Sequence, residues 1–265
     1  MASTPPHVEE LLKFPDVHPY RKWWGTHWRL VELADLDPQV SLTRLRPGVD
    51  QELRWLASTV EPRAVTTIDG LARRHASIEG NAVYALSRLG FAEDEGTRRL
   101  AEALIEWQWP DGGWNCDTRH AARRSSFHES VTPALGLAAY ADKTGDGNSF
   151  AAAIRTAELL LEHRLFRIHG IGEPIHPSWT KLHYPAYWHY DVLQGLRLLS
   201  AVGRLDDDRA ADALELVERS RRSNGRFSGP LWSTAKQPPA VDRGRGTENE
   251  ILNQLVEEVL AAAGR

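Results

Sequence analysis

The chain has 265 residues, a net charge of -4, a 42% hydrophobic fraction and a mean hydropathy of -0.44, enough for one large domain or two small ones. No apolar run is long enough to span a bilayer, and Met1-Ala-Ser-Thr-Pro-Pro6 lacks the basic segment and apolar stretch of a signal peptide. These features exclude a membrane-embedded body and give no general reason to expect nucleic acid as a partner; the single cysteine suits a soluble protein of the reducing cytoplasm.

Two kinds of amphipathic stretch alternate along the chain. Trp28–Leu36 is the first of a mostly apolar set, followed by Ala82–Gly90, Pro133–Tyr140, Val192–Gly203 and Ile251–Gly264. Their ends recur about every 53–61 residues, room for two helices and their connections. Gly90, Gly145, Gly203 and Gly264 stand where a helix C-cap needs positive φ. Between them lie Gln51–Val60, Glu93–Trp107, Ser149–His163 and Asp207–Arg222, each with one wet face, as the spacing of Leu100, Ala103, Leu104 and Trp107 illustrates. The asymmetry predicts an inner and an outer helix layer, about ten helices in about five hairpins, wound into a curved array or a nearly closed barrel. Nothing divides residues 1–265 into two domains, and the Gly- and Pro-rich segments Leu165–His183 and Ser228–Thr247 read as rim loops.

Gln108-Trp-Pro-Asp-Gly-Gly-Trp114 carries the most specific signal. The glutamine can tie a helix end to the following turn, Asp111-Gly-Gly113 makes that turn, and Trp114 can stack back on the helix pair. Asn224-Gly-Arg-Phe227 echoes it. The run resembles the QW motif of squalene and oxidosqualene cyclases, with Leu104 in its usual place and Ala103 where an aromatic is usual. The whole chain resembles small stand-alone bacterial proteins with prenyltransferase or squalene-cyclase repeats. The resemblance implies an all-α fold, the α/α-toroid shared with protein prenyltransferase β subunits. It does not imply polyene cyclisation: in Arg204-Leu-Asp-Asp-Asp208 a leucine replaces the leading aspartate of D-x-D-D, and D-D-x-x-D is absent. Asp206 and Asp207 read as helix caps.

Polar residues gather at the starts of the inner stretches: His27; His75 and Glu79; Cys116, Asp117, His128 and Glu129; His183 to Asp191; and Glu248 and Glu250. In a toroid these starts open toward one end of the cavity. The expected catalytic set is His189, Asp191, His128, Glu129 and Glu79, with His75, Trp114, Cys116, Asp117, Tyr184, Tyr187 and Trp188 lining the substrate site. Acidic residues in a first helical turn also serve the helix dipole, which is the competing account of Glu129, Asp191 and Glu250. The prenyltransferase resemblance raises zinc, for which Cys116, Asp117, His128 and His189 are suitable ligand types. Ser126-Phe-His128 stands where that family has its D-x-C pair, and there is no tight ligand pair, so neither metal nor cofactor is expected.

The function expected is a small-molecule cyclase, lyase or isomerase with acid/base groups in an aromatic-lined central cavity. The alternatives are a noncatalytic ligand- or protein-binding repeat module, which leaves room for a protein partner, and a zinc-dependent transferase.

Overall fold

Helices that are buried all round alternate with helices that bury a single stripe in the computed structural model, which describes residues 5–37, 39–61, 64–230, 240–241 and 249–265. The inner set comprises α2 (Thr26–Leu36), α4 (Ala76–Arg88), α6 (Phe127–Thr144), α8 (Val192–Ala201) and α10 (Glu250–Ala262). The outer set comprises α3 (Leu42–Leu56), α5 (Glu95–Trp107), α7 (Gly147–Glu162) and α9 (Ala211–Arg219), and a short α1 (Pro6–Leu11) packs on α2. α4 buries polar and apolar positions alike, from Ala76 and Ser77 to Leu86 and Ser87. α9 buries only Ala213, Leu214 and Val217, the one-sided pattern of an outer helix.

Each outer helix rests on the inner helix before it. The inner helices touch in the cyclic order α2, α4, α6, α8, α10 and back to α2. One apolar cluster runs through both layers, from Val8 in α1 to Leu260 in α10. The glycines expected to end helices do so: Gly90, Gly145, Gly203 and Gly264 all have positive φ. Among the described residues, no helix is long and apolar enough to cross a membrane.

Several boundaries differ from the sequence reading. α6 begins at Phe127, well before Pro133, because an interior proline removes only one hydrogen bond and packing on α4 holds the first turns. Pro133 has no N–H to offer the Glu129 carbonyl one turn back. α3 likewise starts at Leu42 and contains Pro47. A hairpin that the helical pattern does not predict joins β1 (Thr66–Ile68) to β2 (Leu71–Arg73), with Asp69 and Gly70 both at positive φ in the turn. Most of Ser228–Thr247 lies outside the described residues.

The α4–α6 contact is the closest approach of the inner layer. A Cβ at Gly80 would meet the Pro133 nitrogen at 2.3 Å, and one at Gly136 would meet the Gly80 carbonyl oxygen at 2.5 Å. The two backbones therefore touch, and the starts of α4 and α6 arrive side by side.

Candidate functional site

The Gln108–Trp114 turn fixes the loop that follows it. Gln108 Nε2 donates to the Gly112 carbonyl at 2.9 Å and to the Ala152 carbonyl of α7 at 2.9 Å. Asp111 accepts from the Ser125 amide at 2.8 Å and the Ser125 hydroxyl at 2.6 Å. Trp114 is 1% exposed; its ring N–H donates to the Leu104 carbonyl and its backbone N–H to Ser130 Oγ, both at 2.9 Å. The expected repeat-locking turn is thus present. Trp114 is sealed between α5 and α6, so its place is in the core and the expected substrate contact is corrected. The echo behaves alike: Phe227 is fully buried and its N–H donates to Asn253 Oδ1 at 2.7 Å.

This loop delivers Cys116 to the starts of α4 and α6. The Arg74 amide donates to the Asn115 carbonyl at 3.2 Å, pinning the end of the hairpin beside Cys116. His75, the N-cap residue of α4, places Nδ1 3.1 Å from Glu129 Oε1, and the Ser77 amide donates to Oε2 at 3.1 Å. One donor atom each from His75, Cys116 and Glu129 lies within 4.8 Å of the others. Burial works against the charge of Glu129, but the hydrogen bonds from His75 and Ser77 outweigh it and hold the carboxyl below its ordinary value. The hydrogen bond to Glu129 raises His75, against its partial burial. Burial, and then the Glu129 charge, pushes the Cys116 thiol up to about 11. Glu79 is ion-paired with Arg74 next door, and Asp117 turns outward to Arg119, whose hydrogen bond holds it at about 2.

The His- and aromatic-rich segment lies across the starts of the inner helices. Asn81 of α4 donates to the Tyr187 carbonyl at 2.9 Å, His128 of α6 accepts the Tyr190 N–H on Nδ1 at 2.8 Å, and Asn249 donates to the Tyr184 carbonyl at 3.2 Å. The Tyr190 bond leaves the ring proton of neutral His128 on Nε2. Tyr187 stacks on Trp23 at 3.8 Å and meets the edge of Trp28, a small aromatic cluster apart from the main core, with Tyr20 and Trp188 at its margin. Trp188 stacks on His189 at 3.9 Å, and His189 stands 6.1 Å from His128 between ring centres. Burial drives His189 down to about 4, so it is a neutral ring near neutral pH, with Nδ1–H directed at the Ala186 carbonyl at 3.2 Å.

The expected catalytic set therefore divides. His128 and His189 meet; Glu129 instead joins His75 and Cys116. Asp191 is fully buried, accepts from His183 at 3.0 Å and caps α8 through the Gln194 amide at 3.2 Å. Burial raises its carboxyl against those bonds. That buried pair serves as the cap of α8 and as a core contact. His27 pairs with Glu52 in the core at 2.7 Å, and Asp207 caps a turn at the start of α9. Glu250 is exposed in the first turn of α10, and Glu248 lies outside the described residues.

Below Tyr184 and Tyr187 the space between the inner helices is narrow, with about 30 Å³ open between Trp28, Glu32, Asn81 and Arg197. Tyr84, Asp35 and Arg197 hydrogen-bond across its waist at 2.7–2.8 Å. Beyond the waist, a wider cleft of about 390 Å³ opens among Arg88, Asp142, Lys143 and Glu258. Sequence reasoning missed Arg74, Tyr20 and the His183–Asp191 pair. Tyr20 sits near enough to Glu129 and Glu79 that their charges add to burial in raising its hydroxyl pKa. Comparison with family models, with curated proteins and with solved structures finds no match.

Proposed function

We propose that this chain is an enzyme that transforms a small molecule where His75, Cys116 and Glu129 meet, at the mouth of the inner helices. The observation that carries the reading is their convergence: three chemically versatile groups from separate segments come within 4.8 Å, in a place reached from solvent through the exposed His75 ring. Core packing gives no reason to collect a thiol, an imidazole and a carboxylate there. The aromatic cluster around Trp23 and Tyr187, on the same rim, offers a wall for an apolar or cationic portion of the substrate. The cyclic contact order of the inner helices supports reading the fold as a single α/α-toroid domain, and the reaction as the cyclase, lyase or isomerase class that such rims house. D-x-D-D chemistry is no part of it.

A second reading, a noncatalytic ligand-binding module, draws on the 390 Å³ cleft beyond the waist. A small-molecule library screened by thermal shift separates the two, since a ligand that binds the folded state raises its melting point. Compounds that stabilise the wild type should lose their effect in His75→Ala and Glu129→Gln and keep it in Ser200→Trp, which narrows the far cleft. The reverse pattern would favour the module and sink the rim reading.

A further inference from the structure

The same three residues form, among the described residues, the one group of three or more His, Cys, Asp or Glu side chains with donor atoms close enough to share an ion. We propose that His75, Cys116 and Glu129 bind one zinc ion. The inference deepens the reading of the rim as the functional centre by naming its cofactor. A sulfur, an imidazole nitrogen and a carboxylate oxygen are the donor mixture zinc takes, whereas magnesium and calcium take oxygen. Three protein ligands leave the fourth position of a tetrahedral ion open, the arrangement of catalytic rather than structural zinc.

The geometry is nearly assembled. Ligand atoms on one tetrahedral zinc stand about 3.5 Å apart. His75 Nδ1 and Glu129 Oε1 are already at 3.1 Å, and the three donors span no more than 4.8 Å. Closing the remaining ångström falls to His75, whose side chain is 67% exposed, while Glu129 stays held by the Ser77 amide. The charges also fit. A thiolate and a carboxylate balance the dication, and the thiol proton leaves to solvent on binding. The nearest fixed cation, Arg74, is already paired with Glu79, so it does not oppose the ion unscreened.

The sequence hides this site because its ligands come from three segments with no tight ligand pair. The ligand types it does suggest beside Cys116 go elsewhere: Asp117 to Arg119, His128 to the Tyr190 amide, and His189 against Trp188. A bound zinc would supply Lewis-acid polarisation of the substrate atom entering its open position. The protein's part is to hold the three ligands and to present the aromatic wall beside them.

The test uses the full chain, stripped with a chelator and exchanged into metal-free buffer. Zn²⁺ is titrated by calorimetry, and Co²⁺ by absorption as a reporter of thiolate ligation. The expected result is one ion per chain and a thiolate-to-cobalt band. His75→Ala, Cys116→Ser and Glu129→Gln should each weaken binding by about 10–100-fold or more. His120→Ala, which alters an exposed histidine paired with Asp69, should bind as the wild type does. Circular dichroism on each variant confirms that the helices persist, and Cys116→Ser keeps the proposal exposed to refutation if Glu129→Gln fails to fold. Binding that survives all three substitutions, or a cobalt complex without the thiolate band, would overturn the proposal. The small-molecule screen run in chelator reports on the rim reading separately, because ligand-induced stabilisation does not need the metal to be measured.

Discussion

His75 Nδ1 stands 3.1 Å from Glu129 Oε1, although 54 residues separate them in the chain. Two features bring them there. Gly80 and Gly136 let α4 and α6 touch backbone to backbone, which sets the two helix starts side by side. The hairpin and the Trp114 turn then press Arg74 and Asn115 together, which places Cys116 on the third side.

Gly136→Ala tests the first feature. Its new methyl group would meet the Gly80 carbonyl oxygen at 2.5 Å, so the helices must part. Such overpacking costs about 1–3 kcal/mol, or more where backbone has to move. A urea midpoint equal to that of the wild type would show that α4 and α6 are not in backbone contact.

Trp114→Ala tests the second. Truncating a fully buried aromatic costs about 3–5 kcal/mol, and the loop carrying Cys116 loses its anchor on α5. Trp114→Phe keeps most of the volume and loses chiefly the hydrogen bond to Leu104, worth about 1 kcal/mol. Because Cys116 is the single cysteine, whole-protein mass spectrometry after alkylation reads the loop directly. Cys116 should react faster in Trp114→Ala than in Trp114→Phe. Equal rates would detach the turn from the site.

The contrast between Trp114 and Glu129 shows what the sequence discloses. The Gln108–Trp114 turn is legible because its parts are neighbours in the chain and each has one geometric task. The inner and outer layers are legible because burial writes itself into helical periodicity. The start of α6 is obscured because Pro133 reads as a first-turn residue; Glu129 does stand in the first turn, but chain order alone does not show that its carboxylate meets His75 of α4. The Asp69-Gly70 turn is a hairpin signal set between helical repeats, whose longer period dominates the pattern around it. Asp191 looked functional on the density of polar residues near it; burial and the His183 contact, both tertiary, make it a cap.

Acid stability should report His189. Burial, with the charges of His128, His183 and Lys22 adding to it and the bond to the Ala186 carbonyl opposing, lowers this imidazole to about 4, against an ordinary value of 6.5. Below 6.5 the unfolded chain takes up the proton first, so stability is constant above that pH and falls as pH drops toward 4. Urea midpoints between pH 7 and pH 4 should fall less steeply in His189→Gln than in the wild type. Parallel slopes would mean that the ring is solvated.

Arg197→Ala should be among the most damaging substitutions in the ring. It strips Asp35, 4% exposed, of its cation and leaves a buried charge, at a cost of about 3–5 kcal/mol. Adding Asp35→Asn to Arg197→Ala should recover part of that loss by removing the stranded charge. A double variant as unstable as the sum of the two singles would contradict the ion pair across the waist.

The most direct test of the central claim is turnover. The purified chain, its His75→Ala variant and its His120→Ala variant are each incubated with the same metabolite mixture, and consumed and formed species are followed by mass spectrometry. The rim account predicts a species converted by the wild type and by His120→Ala at equal rates, with His75→Ala slower by about 10²-fold or more at an unchanged melting temperature. Conversion by His75→Ala at the wild-type rate would contradict it.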